Sequence, residues 1–284
     1  MAFMLAIVTD STCDLGPAQL AQLGVTVVPL RVQMDGRFWL DWEELDPDAL
    51  YSRMREGVFA TTTPPDEQDF LTVYRRLLAT HDAVLSLHLS SGISETVAHA
   101  RAAAERLGVG DRVRVFDSGF ATAPLGELVM TAARLAASGA SAGDILGTLE
   151  RLKASMRVEF TVNDLEYLRR GGRLSRVGAF FGNLLGVRPI LTFENGRIVA
   201  DRRVRGRTAM DDMIGKLEDH FGTRPVQVTI AYAGRDRDRI EELRRALEAS
   251  RLDIRRGRIQ LIGAVVGAYT GPGAYGMVAF PADV

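Results

Sequence analysis

The sequence predicts an α/β protein of two domains, an N-terminal α/β domain built on a parallel sheet and a C-terminal mixed α+β domain. Three observations carry this reading. Short continuous apolar strands alternate with helical stretches through the first half, the pattern of a parallel sheet covered on both faces. The second half holds two strand-like runs joined through Glu194-Asn195-Gly196, where Asn-Gly favours a two-residue antiparallel hairpin. A length of 284 residues is long for one core and suits two domains of ordinary size. The division is placed at 160/161, giving domains over 1–160 and 161–284.

Each element follows from local chemistry. Leu5 to Thr9 is a continuous apolar strand, and Asp14 is expected to cap a helix running to Leu23. Val25 to Val32 reads as a second strand, closed by a hairpin-type turn at Asp35-Gly36. Asp46-Pro47 starts a helix, with proline where its missing N–H costs nothing. A helix between Pro65 and Leu78 leads to the strand Ala83 to Leu89. Ser94 to Leu107 is helical, Val113 to Phe116 a strand, and Thr122 to Ala137 an alanine-rich helix, with Ser141 capping the next one. In the second half, Pro189 to Phe193 and Ile198 to Val204 form the hairpin. Helices over Thr208 to Phe221 and Arg237 to Ala249 flank the strand Val226 to Ala233. A strand near Ile259, a short Gly/Ala-rich segment and a strand over Gly276 to Phe280 complete the chain.

Composition narrows the function. Hydrophobic residues make up 46% and charged residues 25%, with a formal net charge of -1, so nothing draws the whole chain toward nucleic acid or an acidic membrane. The single cysteine, Cys13, cannot form an internal disulfide, which points to a reducing cytoplasm. Met1 to Val8 is apolar but lacks a preceding basic region and is cut short by Asp10, so it reads as a buried strand and not a signal peptide. No apolar run approaches the roughly 20 residues that span a bilayer, so membrane insertion is not expected. The four histidines and one cysteine show no metal-ligand spacing, and G-x-G-x-x-G is absent after the first strand, so neither metal nor dinucleotide cofactor is expected.

Several segments can carry chemistry. Ser90-Ser91-Gly92-Ile93-Ser94 lies at the carboxyl end of a predicted parallel strand, where open α/β sheets bind ligands. Its hydroxyls and helix N–H groups can accept a carboxylate or phosphate, or Ser91 or Ser94 can simply cap the helix. Ser91 can also be read as the nucleophile of a hydrolase or acyltransferase with His88 or His99 as base, although the glycine-flanked nucleophile elbow is missing. Thr61-Thr62-Thr63 is held extended by Pro64-Pro65, either as a plain loop or presenting hydroxyls. Arg169-Arg170-Gly171-Gly172-Arg173 is basic and glycine-rich, able to grip an anion in a two-pronged fashion. Gly178, Gly182 and Gly186 recur every four residues beside Phe180, Phe181 and Leu184. That face can pack another helix or leave room for a long apolar ligand. Arg202, Arg203, Arg205 and Arg207 form the densest basic cluster: a solvated face, a ligand or partner contact, or a nucleic-acid contact without the aromatic interleaving such readers carry. Gly267-Ala268-Tyr269-Thr270-Gly271-Pro272-Gly273 fixes a tight turn whose glycines permit close backbone approach.

Taken in order, Asp10-Ser11-Thr12-Cys13-Asp14-Leu15, Thr61-Thr62-Thr63-Pro64, Ser90 to Ser94, Tyr167 to Ser175 and the Gly267 to Gly273 turn resemble the DegV family of bacterial fatty-acid-binding proteins along essentially the whole chain. The resemblance implies a two-domain carrier that encloses one long-chain fatty acid in an apolar tunnel, with its carboxylate at the domain junction. It further implies that the carrier is the binding subunit of a fatty acid kinase, a separate subunit phosphorylating the acyl group for phospholipid synthesis. Carried over by motif, Thr61, Ser91, Ser94 and Arg173 would hold the carboxylate. Arg205 and Arg207 would meet the headgroup or the kinase, and Phe180, Phe181 and Leu184 would line the tunnel. The family commonly places histidine before Thr-Gly-Pro-Gly. This chain has Tyr269 there, a hydrogen-bond donor without positive charge that is expected to join the carboxylate-binding residues. Serine and glutamine often fill the places of Thr62 and Thr63. No kinase loop or Walker motif is present, so the resemblance makes this chain a carrier and not the enzyme.

Overall fold

The computed structural model describes residues 3–175, 186–205 and 208–283. β1 (Leu5–Asp10) is the expected apolar strand. Asp14 does not cap the first helix: it sits in the left-handed region at φ 55°, closing a 3₁₀ turn over Ser11–Cys13. Gly16 precedes α1 (Pro17–Gln22) instead, with proline at the first helical position. The expected strand over 25–32 is two strands. β2 (Val25–Val28) pairs with β1, whereas β3 (Arg31–Met34) leaves for a second sheet. Pro29 lies at the break, where a residue without an N–H cannot donate to the ladder. β3 turns through Asp35 and Gly36, at φ 53° and 74°, into β4 (Arg37–Leu40). After α2 (Pro47–Arg55), β5 (Thr61–Thr63) pairs antiparallel with the other edge of β3. Then come α3 (Glu67–Leu78), β6 (Ala83–His88), α4 (Thr96–Leu107), β7 (Val113–Asp117), α5 (Ala123–Ala137) and α6 (Ala142–Ser155).

β1, β2, β6 and β7 form a parallel sheet in the order β2-β1-β6-β7. The chain leaves β1 toward one edge and returns at β6 on the other side, so the loops after Asp10 and His88 open a crevice at a topological switch point.

β8 (Arg157–Thr161) begins a second sheet. It is followed by α7 (Glu166–Arg170), β9 (Leu174–Ser175), β10 (Val187–Glu194), β11 (Arg197–Arg205), α8 (Ala209–Phe221), β12 (Val226–Tyr232), α9 (Arg237–Glu248), β13 (Ile254–Leu261), α10 (Ala264–Thr270) and β14 (Tyr275–Pro281). The mixed sheet runs β13-β12-β14-β8-β10-β11-β9. β8 pairs with both β14 and β10, so a division at 160/161 falls inside a strand that belongs wholly to this second sheet. The Gly/Ala-rich segment left without structure by its composition is α10. Its Gly267 faces Tyr51, whose hydroxyl would lie 2.5 Å from an added Cβ.

α5 joins the two halves. It packs on β1 and β6 on one side and on β12 and β14 on the other, and every residue from Ala123 to Ala133 is buried. A helix this largely apolar is stable only when enclosed in this way. Leu125, Leu128 and Val129 belong to one core cluster with Leu85, Ala231 and Val278 from both sheets. Each such side chain contributes roughly 1.5–3 kcal/mol by leaving water.

Candidate functional site

An apolar cavity lies between the crevice of the first sheet and the face of the second. Leu30, Leu89, Ile93 and the start of α5 line it from one side; Val158, Phe160, Phe193, Ile198 and Met277 line it from the other. Hydrocarbon dominates this wall, and among the polar side chains that interrupt it are Thr62, Ser94, Arg173 and Tyr269.

Their placement follows from the elements that carry them. In β5 the pleat sends Thr61 and Thr63 to solvent and Thr62 inward. Tyr269 stands on the last turn of α10, and its hydroxyl is 2.6 Å from the Thr62 hydroxyl. Its ring lies over Gly171, where a Cβ would overlap Cδ1 and Cε1 of the ring. Arg173 sets its guanidinium 4.7 Å above the same ring. Its Nε donates to the Ile93 carbonyl at 3.1 Å and its Nη1 to the Gly171 carbonyl at 2.7 Å. Ser94 Oγ is 2.9 Å from Thr96 Oγ1 at the start of α4. Two hydroxyls and one permanent cation thus meet at one point of a largely apolar cavity, with the Ser94 hydroxyl on the same wall. That arrangement can hold a carboxylate by charge-assisted hydrogen bonds and leave its hydrocarbon tail among carbon atoms.

Not every expected residue joins this group. Thr61 is exposed, with its hydroxyl 3.3 Å from Gln33 Oε1. Its neighbour Thr62 takes the cavity position because only one residue of a two-residue repeat can face inward. Ser91 is exposed and donates to Asp117 Oδ2 at 2.5 Å, away from the cavity lining. Arg205, at the end of β11, lines a separate surface crevice with Arg188 and Arg239; Tyr275 borders both that crevice and the cavity. Arg207, Phe180, Phe181 and Leu184 lie outside the described residues. Gly271 and Gly273, at φ 72° and 79°, make room for protein side chains and not for a ligand: added Cβ atoms would strike Tyr167 and Asn163.

Neither histidine is set to activate Ser91. His99 Nδ1 lies 2.7 Å from the Pro65 carbonyl. His88 belongs to a fully buried chain in which Tyr74 donates to Ser86 at 2.8 Å, Ser86 meets His88 Nε2 at 2.6 Å, and His88 Nδ1 meets Asp10 at 2.9 Å. Asp10 also accepts from the N–H groups of Thr12 and Leu89. This chain pins the ends of β1 and β6, and with them the loop that carries Ser94.

A second buried acidic group supports α10 from beneath. Asp41 Oδ1 accepts from the Ala264 N–H at 3.1 Å, an acid at a helix start. Burial pushes its carboxyl up to about 7. Asp14 is buried beside it, facing Thr122, the Trp42 indole and Gly263 without a well-directed hydrogen bond. Burial, aided by the Asp41 charge, holds the Asp14 carboxyl well above the usual carboxylate range. Thr122 lines the cavity at φ 54°, ψ -134°, a strained conformation for a β-branched residue. Its N–H donates to Thr12 at 2.7 Å, which holds it there. Sequence reasoning missed Thr122 and Asp41. Neither stands in a motif, and only the packing of distant segments brings them under the site. Among the described residues there is no cluster of metal-ligating side chains, and no helix is long and apolar enough to cross a membrane.

Comparison with known proteins gives a consistent result. A family model described as "Uncharacterised protein, DegV family" matches residues 4–282. A DegV domain-containing protein of Deinococcus radiodurans is 38% identical, with 98% of each chain covered. Among solved structures, the chain is similar to a DegV family protein from Thermus thermophilus described for its fatty acid binding. The TM-score is 0.92 at 38% identity, covering 98% of this chain and 100% of that one. It is also similar to DegV of Bacillus subtilis, described as a fatty acid binding protein, with a TM-score of 0.84 at 32% identity, covering 99% and 100%.

Proposed function

This chain belongs to the DegV family, and from that premise we propose that it binds one long-chain fatty acid in the cavity between its sheets and presents the carboxylate to a separate kinase subunit. The observation that carries the reading is the meeting of Thr62, Tyr269 and Arg173, with Ser94 on the same wall, in a largely apolar cavity. The carboxylate takes its charge-assisted bonds from Arg173 and its hydroxyl bonds from Thr62, Tyr269 and Ser94. At about 0.8 kcal/mol per buried CH₂, a chain of ~16 carbons offers roughly 12 kcal/mol gross. Immobilising the chain and ordering the protein around it offsets part of that. Binding therefore needs no catalytic apparatus.

The kinase step rests on the family resemblance. There a partner transfers the terminal phosphoryl group of ATP to the acyl carboxylate oxygen, releasing ADP and an acyl phosphate for phospholipid synthesis. This chain's part is to fix the carboxylate where a partner can reach it, in a reducing cytoplasm. We place the junction of its two domains upstream of Arg157, where the second sheet begins, so the cavity is an interdomain site. Mass spectrometry of lipid extracted from the purified protein, with titration of delipidated protein by palmitate, tests the proposal. One equivalent of fatty acid is expected in both measurements. A protein that carries no lipid and takes up none would overturn it.

A further inference from the structure

Phe193 stands where two spaces meet. It lines the internal cavity and also an outer crevice bounded by Lys153, Asn195 and Gly196. Among the described residues, Val158 is the other side chain that borders both. The two stand between the cavity and the outer crevice. Phe193 is fixed in that place: its ring meets Phe120 edge-on at 5.5 Å between centroids and 79°, and Phe160 at 6.0 Å and 35°. Its backbone is held as well. The β10–β11 turn docks on the first sheet, with Ser90 Oγ donating to the Gly196 carbonyl at 2.7 Å. Gly92 packs so close to Gly196 that an added Cβ would lie 2.5 Å from the same oxygen.

We propose that Phe193 is the residue that limits the length of the bound acyl chain, by closing the cavity against the outer crevice. This inference rests on the fatty-acid reading of the site and deepens it. A close-packed aromatic partition yields little to an added methylene, because the rings behind it must move too. A chain that outgrows the cavity gains nothing from its extra carbons while Phe193 stands. Once the ring is removed, the crevice becomes room for those carbons, and each newly buried methylene is worth about fourfold in affinity.

The test is a competition series of saturated C14, C16, C18 and C20 acids against one fluorescent fatty acid, using the full chain and its Phe193→Ala, Phe193→Leu and Val158→Phe variants. The readout is the ratio of affinities along the series, which a uniform loss of stability does not move. In Phe193→Ala the C20 to C16 ratio is expected to rise at least tenfold over the parent, with Phe193→Leu between the two. Val158→Phe, which adds bulk to the same partition, is expected to move the preference toward shorter acids. Because these changes act in opposite directions, loss of folding in one variant leaves the others informative. Ratios that match the parent in the variants that bind would overturn the role of Phe193 while leaving fatty acid binding intact. A parent that binds no acid in the series would overturn the fatty-acid reading and this inference with it.

Discussion

Replacing Tyr269 with phenylalanine isolates one atom of the proposed headgroup site. The ring stays, so its stacking under Arg173 at 4.7 Å and its packing over Gly171 are preserved. What goes is the hydroxyl that lies 2.6 Å from Thr62. A hydrogen bond to a charged group contributes about 1.5–3 kcal/mol, and about 1.4 kcal/mol corresponds to tenfold in affinity. Tyr269→Phe is therefore expected to weaken fatty acid binding by roughly 10- to 100-fold. Thr62→Val is expected to fall in the same range. The double variant should lose less than the sum, because the two hydroxyls share one hydrogen bond and one ligand group. Displacement of a fluorescent fatty acid from delipidated protein, run from pH 5.5 to 8.5, measures all three. Tyr269→His in the same assay is expected to keep binding but to add a pH dependence, tighter where imidazole is protonated and weaker as pH rises through about 6.5. If Tyr269→Phe binds as tightly as the parent throughout, Tyr269 is only part of the wall and the headgroup assignment is wrong.

Three further outcomes are expected. Ser94→Ala should weaken fatty acid binding roughly tenfold, by one hydrogen bond to a charged group, whereas Ser91→Ala, which removes a bond to Asp117 outside the cavity, should leave affinity within about twofold. A matched loss in both titrations would return Ser91 to the site. Asp41 holds its proton in the folded chain up to about pH 7 but releases it near 3.9 when unfolded. Between those values the folded state binds more protons, so its contribution to stability is present below about pH 4 and is lost as pH rises to 7, on the order of 4 kcal/mol. Urea melts at pH 4.5 and pH 7.5 should show Asp41→Asn losing much of that slope; parallel slopes for variant and parent would refute it. Gly92→Ala puts a carbon 2.5 Å from the Gly196 carbonyl oxygen, an overpacking that should cost about 1–3 kcal/mol of stability in denaturant melts. An unchanged midpoint would show that the β10–β11 turn is free to shift.

Much of this architecture is legible in the chain. Continuous apolar runs mark β1 and β6, Asn195-Gly196 marks the β10–β11 turn at φ 49° and 77°, and Asp46-Pro47 marks the start of α2. The misreadings have physical causes. Pro29 splits an apolar run between two sheets, a choice that depends on partners far along the chain. β8 pairs with strands that follow it by some thirty to a hundred and twenty residues, so no local pattern announces the sheet it joins. α10 carries Val265, Val266, Gly267 and Thr270, all of weaker helix propensity than alanine, and its burial against Tyr51 and Asp41 supplies what propensity lacks. At the site, the motifs mark loops that line the cavity, and tertiary pairing decides which side chain faces it. Thr61 and Thr62 are chemically equal in the sequence, and only the pairing of Val32 with Thr62 decides which faces the cavity. Ser91 and Ser94 differ likewise: one is drawn out by Asp117, the other stands at the cavity wall.

A crystal structure of the protein with palmitate tests the central claim most directly, because it locates the carboxylate among named donors. The expected result is one acid in the space between the sheets, its carboxylate within hydrogen-bond distance of the Tyr269 and Thr62 hydroxyls and beside the Arg173 guanidinium, its tail against Phe160 and Met277. A carboxylate held instead at Ser91 and Asp117, or beside Arg205 in the outer crevice with the internal space empty, would contradict it.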